Sequence, residues 1–269
     1  MAPAKRAIDT HSLLSSRIGG LLGLGLMLGL GACGGDDSAA GPPAAPVTKA
    51  EVDGASPWMT PPSVKTVERD GADLVISGLG DPGGRVVLRT PVGRAYAAVA
   101  DARGVFAVRL TAADGLVLTP EAQLGQDTVP AAGRMVILDS QVGTAAILSP
   151  GEASRRLGPA PALAAVDHDG RAVILSGRSD PDSTIRIDMP GRGPLQVRAE
   201  SSGTWRVTLD GGVPSEVQVN GQAFALPGLA TAGQSEANSA VAVLTREDGY
   251  LLQWQAPDGA PQTTWLPRR

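Results

Sequence analysis

One cysteine, Cys33, occurs in 269 residues, so no disulfide can form within the chain. Only two histidines are present. A Ser-His-Asp constellation beyond residue 32 would have to use His168 as its base. No GxSxG, HExxH, cysteine pair or glycine-rich phosphate loop occurs, which argues against hydrolase, zinc and nucleotide chemistry. We therefore expect no enzyme, no cofactor and no metal site. Aromatic residues make up 3% of the chain. Basic runs are missing too, and the net charge of −4 leaves no electrostatic footprint for nucleic acid. With no disulfide available, the chain must be held together by hydrophobic cores alone, which domains near 90 residues achieve only marginally.

Long apolar runs are equally scarce. The one candidate, Ile18–Leu30, is free of charge and follows Lys5, Arg6 and Arg17 with a single acid, Asp9. It has the length of a signal-peptide core and falls short of the roughly 20 residues that span a bilayer. Gly31 and Ala32 then supply small side chains, and Cys33 follows. Leu30-Gly31-Ala32-Cys33 resembles the lipobox of bacterial lipoproteins, although Ala or Ser is commoner than Gly at its second place. The resemblance implies cleavage before Cys33, a diacylglyceryl thioether on its sulfur and acylation of the new amino terminus. One acyl chain alone holds a protein to a membrane only marginally, at about 0.8 kcal/mol per buried CH₂. Gly34, where inner-membrane lipoproteins often carry Asp, favours the outer membrane, on its periplasmic or surface face. The expected leader is 1–32; its loss takes the net charge from −4 to −6.

What is plentiful is glycine, proline and short runs of Val, Leu and Thr: Gly 35 and Pro 22 in the whole chain. Residues 33–62, rich in Gly, Ala and Pro, cannot bury enough surface to offset the entropy of ordering and read as a tether. Beyond it, residues 70–110 and 169–209 match at a constant spacing of 99 positions. Ser77-Gly78 pairs with Ser176-Gly177, Asp81-Pro82 with Asp180-Pro181, Gly104 with Gly203, and Phe106 with Trp205. Farther on, Leu138 and Gly143 pair with Leu244 and Gly249 at a spacing of 106. Two copies of one domain follow, 63–150 and 161–269.

Period-two alternation places strands in the first copy near 64–68, 73–78, 85–89, 95–100, 105–110, 116–119, 134–138 and 144–148. In the second they fall near 162–166, 172–177, 184–188, 195–199, 204–209, 216–219, 222–225, 240–246 and 250–255. Asn220-Gly221 is the strongest hairpin signal, because a type I′ turn needs positive φ at both positions. Short strands at this spacing predict an all-β chain of two-sheet sandwiches. The run Ser77-Gly78, Asp81-Pro82-Gly83, Val86-Val87-Leu88 and Asp101 to Val108 is similar to bacterial immunoglobulin-like domains of surface proteins. The second copy departs from that pattern at Asp182, where the turn glycine is expected, and at Glu200-Ser201-Ser202. The resemblance implies tandem immunoglobulin-like β-sandwiches that serve as spacers, adhesive units or accessory modules, and it says little about activity.

Candidate site residues are few. Phe106 and Trp205, flanked by alternating Val, read as core. His168 lies in Asp167-His168-Asp169-Gly170, where the first copy has an ordinary turn, and one segment supplies too few converging ligands for a metal. Asp180-Pro181-Asp182-Ser183 and Gly34-Gly35-Asp36-Asp37 are weak calcium-like clusters. Tyr250, Trp254 and Trp265 gather most of the remaining aromatics near the C-terminal end. Core packing is their default; contact with a partner protein, or with sugar rings of a glycan or peptidoglycan, is the sharper alternative. Cys33 is the expected lipid attachment site. The function these features predict is a membrane-anchored, non-catalytic envelope module whose partner is an envelope protein or glycan.

Overall fold

The computed structural model describes residues 59–229 and 241–268, all of which fall in one compact unit. The leader, Cys33, the acidic pair Asp36-Asp37 and nearly all of the tether lie outside the described residues. Within them the chain is all-β, and no helix is long and apolar enough to cross a membrane.

The first copy runs β1 (Ser63–Asp70), β2 (Asp73–Leu79), β3 (Arg85–Arg89), β4 (Ala95–Val99), β5 (Val105–Leu110), β6 (Val117–Leu124), β7 (Asp127–Pro130), β8 (Arg134–Asp139), β9 (Thr144–Leu148) and β10 (Arg155–Leu157). The second runs β11 (Leu163–His168), β12 (Ala172–Arg178), β13 (Thr184–Asp188), β14 (Leu195–Arg198), β15 (Thr204–Asp210), β16 (Glu216–Val219), β17 (Gln222–Ala225), β18 (Val241–Thr245), β19 (Gly249–Gln255) and β20 (Pro261–Pro267). The alternating segments all form strands, close to their expected bounds except β6, which runs on to Leu124 from an expected end at 119. Three strands escape the sequence reading: β7, β10 and β20. Each begins beside or includes Pro or Arg, residues that weaken a strand signal. β10 lies in the stretch between 150 and 161 that separates the two copies in the sequence reading.

Local chemistry explains the turns. Asn220 and Gly221 both take positive φ, 50° and 84°, and the hairpin β16–β17 pairs Val219 with Gln222 around them. Asp182, standing where the first copy has Gly83, adopts the same left-handed conformation, with φ of 61° against 69°. A side chain there costs energy that glycine does not, although Asp tolerates it better than most residues. Its ion pair with Arg198 is exposed and contributes little. Asp182→Gly is expected to raise the urea midpoint slightly, by less than about 1 kcal/mol in stability.

Each copy encloses a core between two sheets. In the second, a six-stranded sheet ordered β15-β12-β11-β20-β19-β18 faces a four-stranded one ordered β14-β13-β16-β17. Val173, Leu175 and Trp205 of the first meet Ile185, Ile187 and Val217 of the second. In the first copy, a three-stranded sheet β1-β2-β5 faces a larger one ordered β10-β9-β8-β6-β3-β4, to which β7 is paired through β6. Phe106 and Trp205 lie in these cores, as their alternation predicts.

The repeated Ser-Gly and the repeated aromatic are one device. Gly78 is the cross-strand neighbour of Phe106, and Gly177 that of Trp205. A Cβ on Gly78 would stand 2.7 Å from the Phe106 ring, and one on Gly177 2.6 Å from the Trp205 ring. Opposite each glycine the register of the first strand shifts, between Val64 and Thr66 and again between Leu163 and Ala165. The missing side chain lets the bulged strand and the ring approach together.

The copies differ in how their last three strands pair. β8–β9–β10 joins its neighbours through β6, by Val117↔Val136 and Leu118↔Met135. The corresponding β18–β19–β20 instead joins β11, by Val166↔Trp265 through His168↔Thr263. Both three-stranded units are buried on two faces. On β8, Met135 and Ile137 enter the first copy's core, while Val136 and Leu138 enter a third core with Leu252, Trp254 and Leu266 of the second copy. This third core fuses the copies. Each Leu or Val side chain it removes from water contributes about 1.5–3 kcal/mol, so neither unit can be solvated on that face without a large loss.

Candidate functional site

The three C-terminal aromatics do not form a surface. Trp265 has 0% exposure and packs in the second copy's core, with Gly249 beneath its ring. Tyr250 and Trp254, 3% and 5% exposed, fill the core between copies. Their ring faces are covered by protein, so the expectation of a partner or sugar contact at Tyr250, Trp254 and Trp265 is corrected: Tyr250 and Trp254 hold the repeats together, and Trp265 packs the second copy's own core. The sequence reading missed this because the partner surface, β8 and β9, is about a hundred positions away.

His168 and its neighbours are structural. The His168 Nδ1 atom is 2.8 Å from the Leu229 carbonyl oxygen. Asp169 accepts from the backbone N–H groups of Arg171 and Ala172, which closes the turn and holds its carboxyl below the usual range. Among the described residues no cluster of His, Cys, Asp and Glu could hold a metal ion.

Asp167 is different. It is 7% exposed, with no cation within ion-pairing distance among the described residues. Its Oδ2 accepts from the Ser154 N–H at 2.7 Å and its Oδ1 from the Thr264 hydroxyl at 2.6 Å. The Trp254 Nε1–H donates in turn to Thr264 Oγ1. Burial outweighs these hydrogen bonds and pushes the Asp167 carboxyl up to about 6. The network ties the segment before β10 to β11, β19 and β20, and it gives the junction a titratable lock.

Beside this junction lies a cavity of about 270 Å³. One wall is a face of β12 and β15, where Ser176 pairs across from Arg206 and Arg178 from Thr204. The other is the segment Ala153–Arg156, which brings Arg155 and Arg156 over that face. Four arginines and one acid, Glu200, thus line a single space. None of the four arginines makes an ion pair among the described residues. Arg155 donates to the Val64 carbonyl at 2.7 Å and Arg156 to that of Pro267, and these bonds fix two of the four groups. Burial, and then the charge of Arg178, pulls the Arg155 guanidinium below its ordinary value. Burial is also the main cause of the downward shift at Arg156.

Two residues lining the cavity carry buried polar atoms with no hydrogen-bond partner among the described residues, Arg156 Nε and Ser176 Oγ, and so does Trp205 Nε1 in the core on the other face of β15. Each can donate, and two of them can only donate. Leaving such groups unpaired costs about 1–3 kcal/mol apiece. The fold itself does not require the charge, because the first copy has Leu79 and Ala107 where the second has Arg178 and Arg206. No sequence signal marks this site, since its arginines come from three strands whose convergence depends on how the copies pack.

No protein-family model matches the chain, and no curated protein was found similar to it. Two solved structures share features of the backbone. One is a Ca²⁺-stabilized adhesin of an Antarctic bacterium that binds ice, with a TM-score of 0.22, 14% identity and 77% of this chain covered. The other is a 1.5-MDa bacterial ice-binding adhesin, with a TM-score of 0.21, 11% identity and 77% covered. The chain spans 48% of the first structure and 63% of the second. At these TM-scores neither bears on what the chain does.

Proposed function

We propose that this chain is an exported lipoprotein, held to the outer membrane by acyl chains on Cys33, whose fused β-sandwiches act as a non-catalytic binding module of the cell envelope. The observation that carries it is Leu30-Gly31-Ala32-Cys33 at the end of a short apolar run behind three basic residues. A module working outside the cytoplasm without disulfides needs cohesion from burial alone, and the core between the copies adds to that cohesion. A body stiffened in this way suits presenting a fixed surface at the end of a tether, to an envelope component as partner.

Metabolic labelling with palmitate tests the anchor. The wild-type chain is expected to incorporate label and to partition with membranes; Cys33→Ser should lose both. Labelling of Cys33→Ser at the wild-type level would sink the assignment.

A further inference from the structure

We propose that the cavity between the Ala153–Arg156 segment and the outer face of β12 and β15 binds a compact oxyanion, a phosphate or a carboxylate, carried on a ligand about the size of a monosaccharide. Four arginines line it, against the single acid Glu200. Guanidinium pairs these oxyanions through parallel N–H donors, a geometry that lysine cannot reproduce. The Ser176 hydroxyl and Arg156 Nε, of residues that line the cavity, are further donors without partners among the described residues. A hydrogen-bond acceptor suits a site lined by guanidinium donors, which a cation would not satisfy.

The arrangement is prepared in advance. Arg155 and Arg156 are anchored through carbonyls of the two copies, Val64 and Pro267, so their positions are set before a ligand arrives. Arg178 and Arg206 are exposed on the facing strands and free to close on it. A volume of about 270 Å³ suits one acidic sugar or one phosphorylated group rather than a length of polymer. The site names a ligand chemistry for the binding role proposed above and rests on that role, but it does not depend on lipidation.

The test uses the full chain purified in a non-ionic detergent, followed by calorimetry and by tryptophan emission, to which Trp205, on a strand that walls the cavity, contributes. The probes are inorganic phosphate, galacturonate, glucose 6-phosphate and, as a neutral control, glucose. Saturable binding of at least one anion at about millimolar Kd or tighter, with none of glucose, is expected. Affinity should fall as salt rises. The double variant Arg178→Ala/Arg206→Ala changes only exposed side chains and should weaken binding by roughly tenfold or more. Response to phosphate alone, or to galacturonate alone, identifies which oxyanion the site takes. No saturable response to any anion, equal affinity in the double variant, or equal binding of glucose would overturn the site. Loss of anion binding with normal palmitate labelling would leave the anchor standing, and the reverse result would leave the cavity standing.

Discussion

Gly177→Ala is expected to destabilise the protein by about 3 kcal/mol, near the top of the range for overpacking a core. The new methyl group would lie well inside van der Waals contact of the Ala162 carbonyl oxygen and 2.6 Å from the Trp205 ring. Neither neighbour can give way cheaply. The Ala162 carbonyl is backbone just before the bulged start of β11, and Trp205 is 2% exposed among Val173, Leu175 and Ile185. Gly78→Ala should behave likewise, because Ser63 and Phe106 stand in the same places. Gly71→Ala, at a hairpin where no atom lies within 4 Å of the added Cβ, suffers only the strain of its left-handed backbone and is the control. Urea unfolding of the three variants checks this ordering. A Gly177→Ala midpoint no lower than that of Gly71→Ala would show that the glycine–aromatic device does not hold the sheets together.

The fold is expected to gain about 2 kcal/mol of stability as pH falls from about 7 to about 4, through Asp167. The carboxyl is pushed up to about 6 in the folded protein and returns to near 3.8 on unfolding. Between these values the native state binds a proton that the unfolded state does not. The stabilisation is therefore fully present below the unfolded value and is lost as pH rises through about 6. Ser154, Thr264 and, through it, Trp254 surround the group, and no cation offsets its charge within ion-pairing distance among the described residues.

Asp167→Asn imitates the protonated form. Its carbonyl can accept from the Ser154 N–H, and its amide can donate to Thr264 Oγ1, whose hydroxyl turns to Ser154 Oγ, 3.4 Å away. The variant should be more stable than wild type at pH 8, and its melting temperature should lose most of the dependence on pH between 4 and 7. Thermal unfolding across that range decides it. A wild-type melting temperature that rises from pH 5 to pH 8, or a slope unchanged in Asp167→Asn, would contradict the assignment.

Much of this was legible in the sequence, for a local reason. Alternation along β2, β5, β12 and β15 reflects which face of each strand is buried, and the turn at Asn220-Gly221 needs only the backbone freedom of two residues. The repeat doubled the information, because Gly78 with Phe106 and Gly177 with Trp205 recur in matching positions. The unbroken apolar runs of β8 and β9, Met135–Leu138 and Ala145–Leu148, also carried a signal. Strands that do not alternate are buried on both faces, but such a run does not say what covers the second face.

By itself, then, the sequence determined the all-β class, the positions of most strands, the duplication, and the short apolar segment that ends at Cys33. Only the tertiary structure decided that β20 pairs with β11 while β10 stays with β9, and that Trp254 and Trp265 are covered rather than displayed. It also brought Arg155 and Arg156 of one copy over Arg178 and Arg206 of the other. The division has a physical cause. Strand and turn preferences are properties of a few neighbouring residues, whereas the choice of a strand's edge partner, and of what covers a second apolar face, is a competition among distant segments settled by the area each arrangement buries.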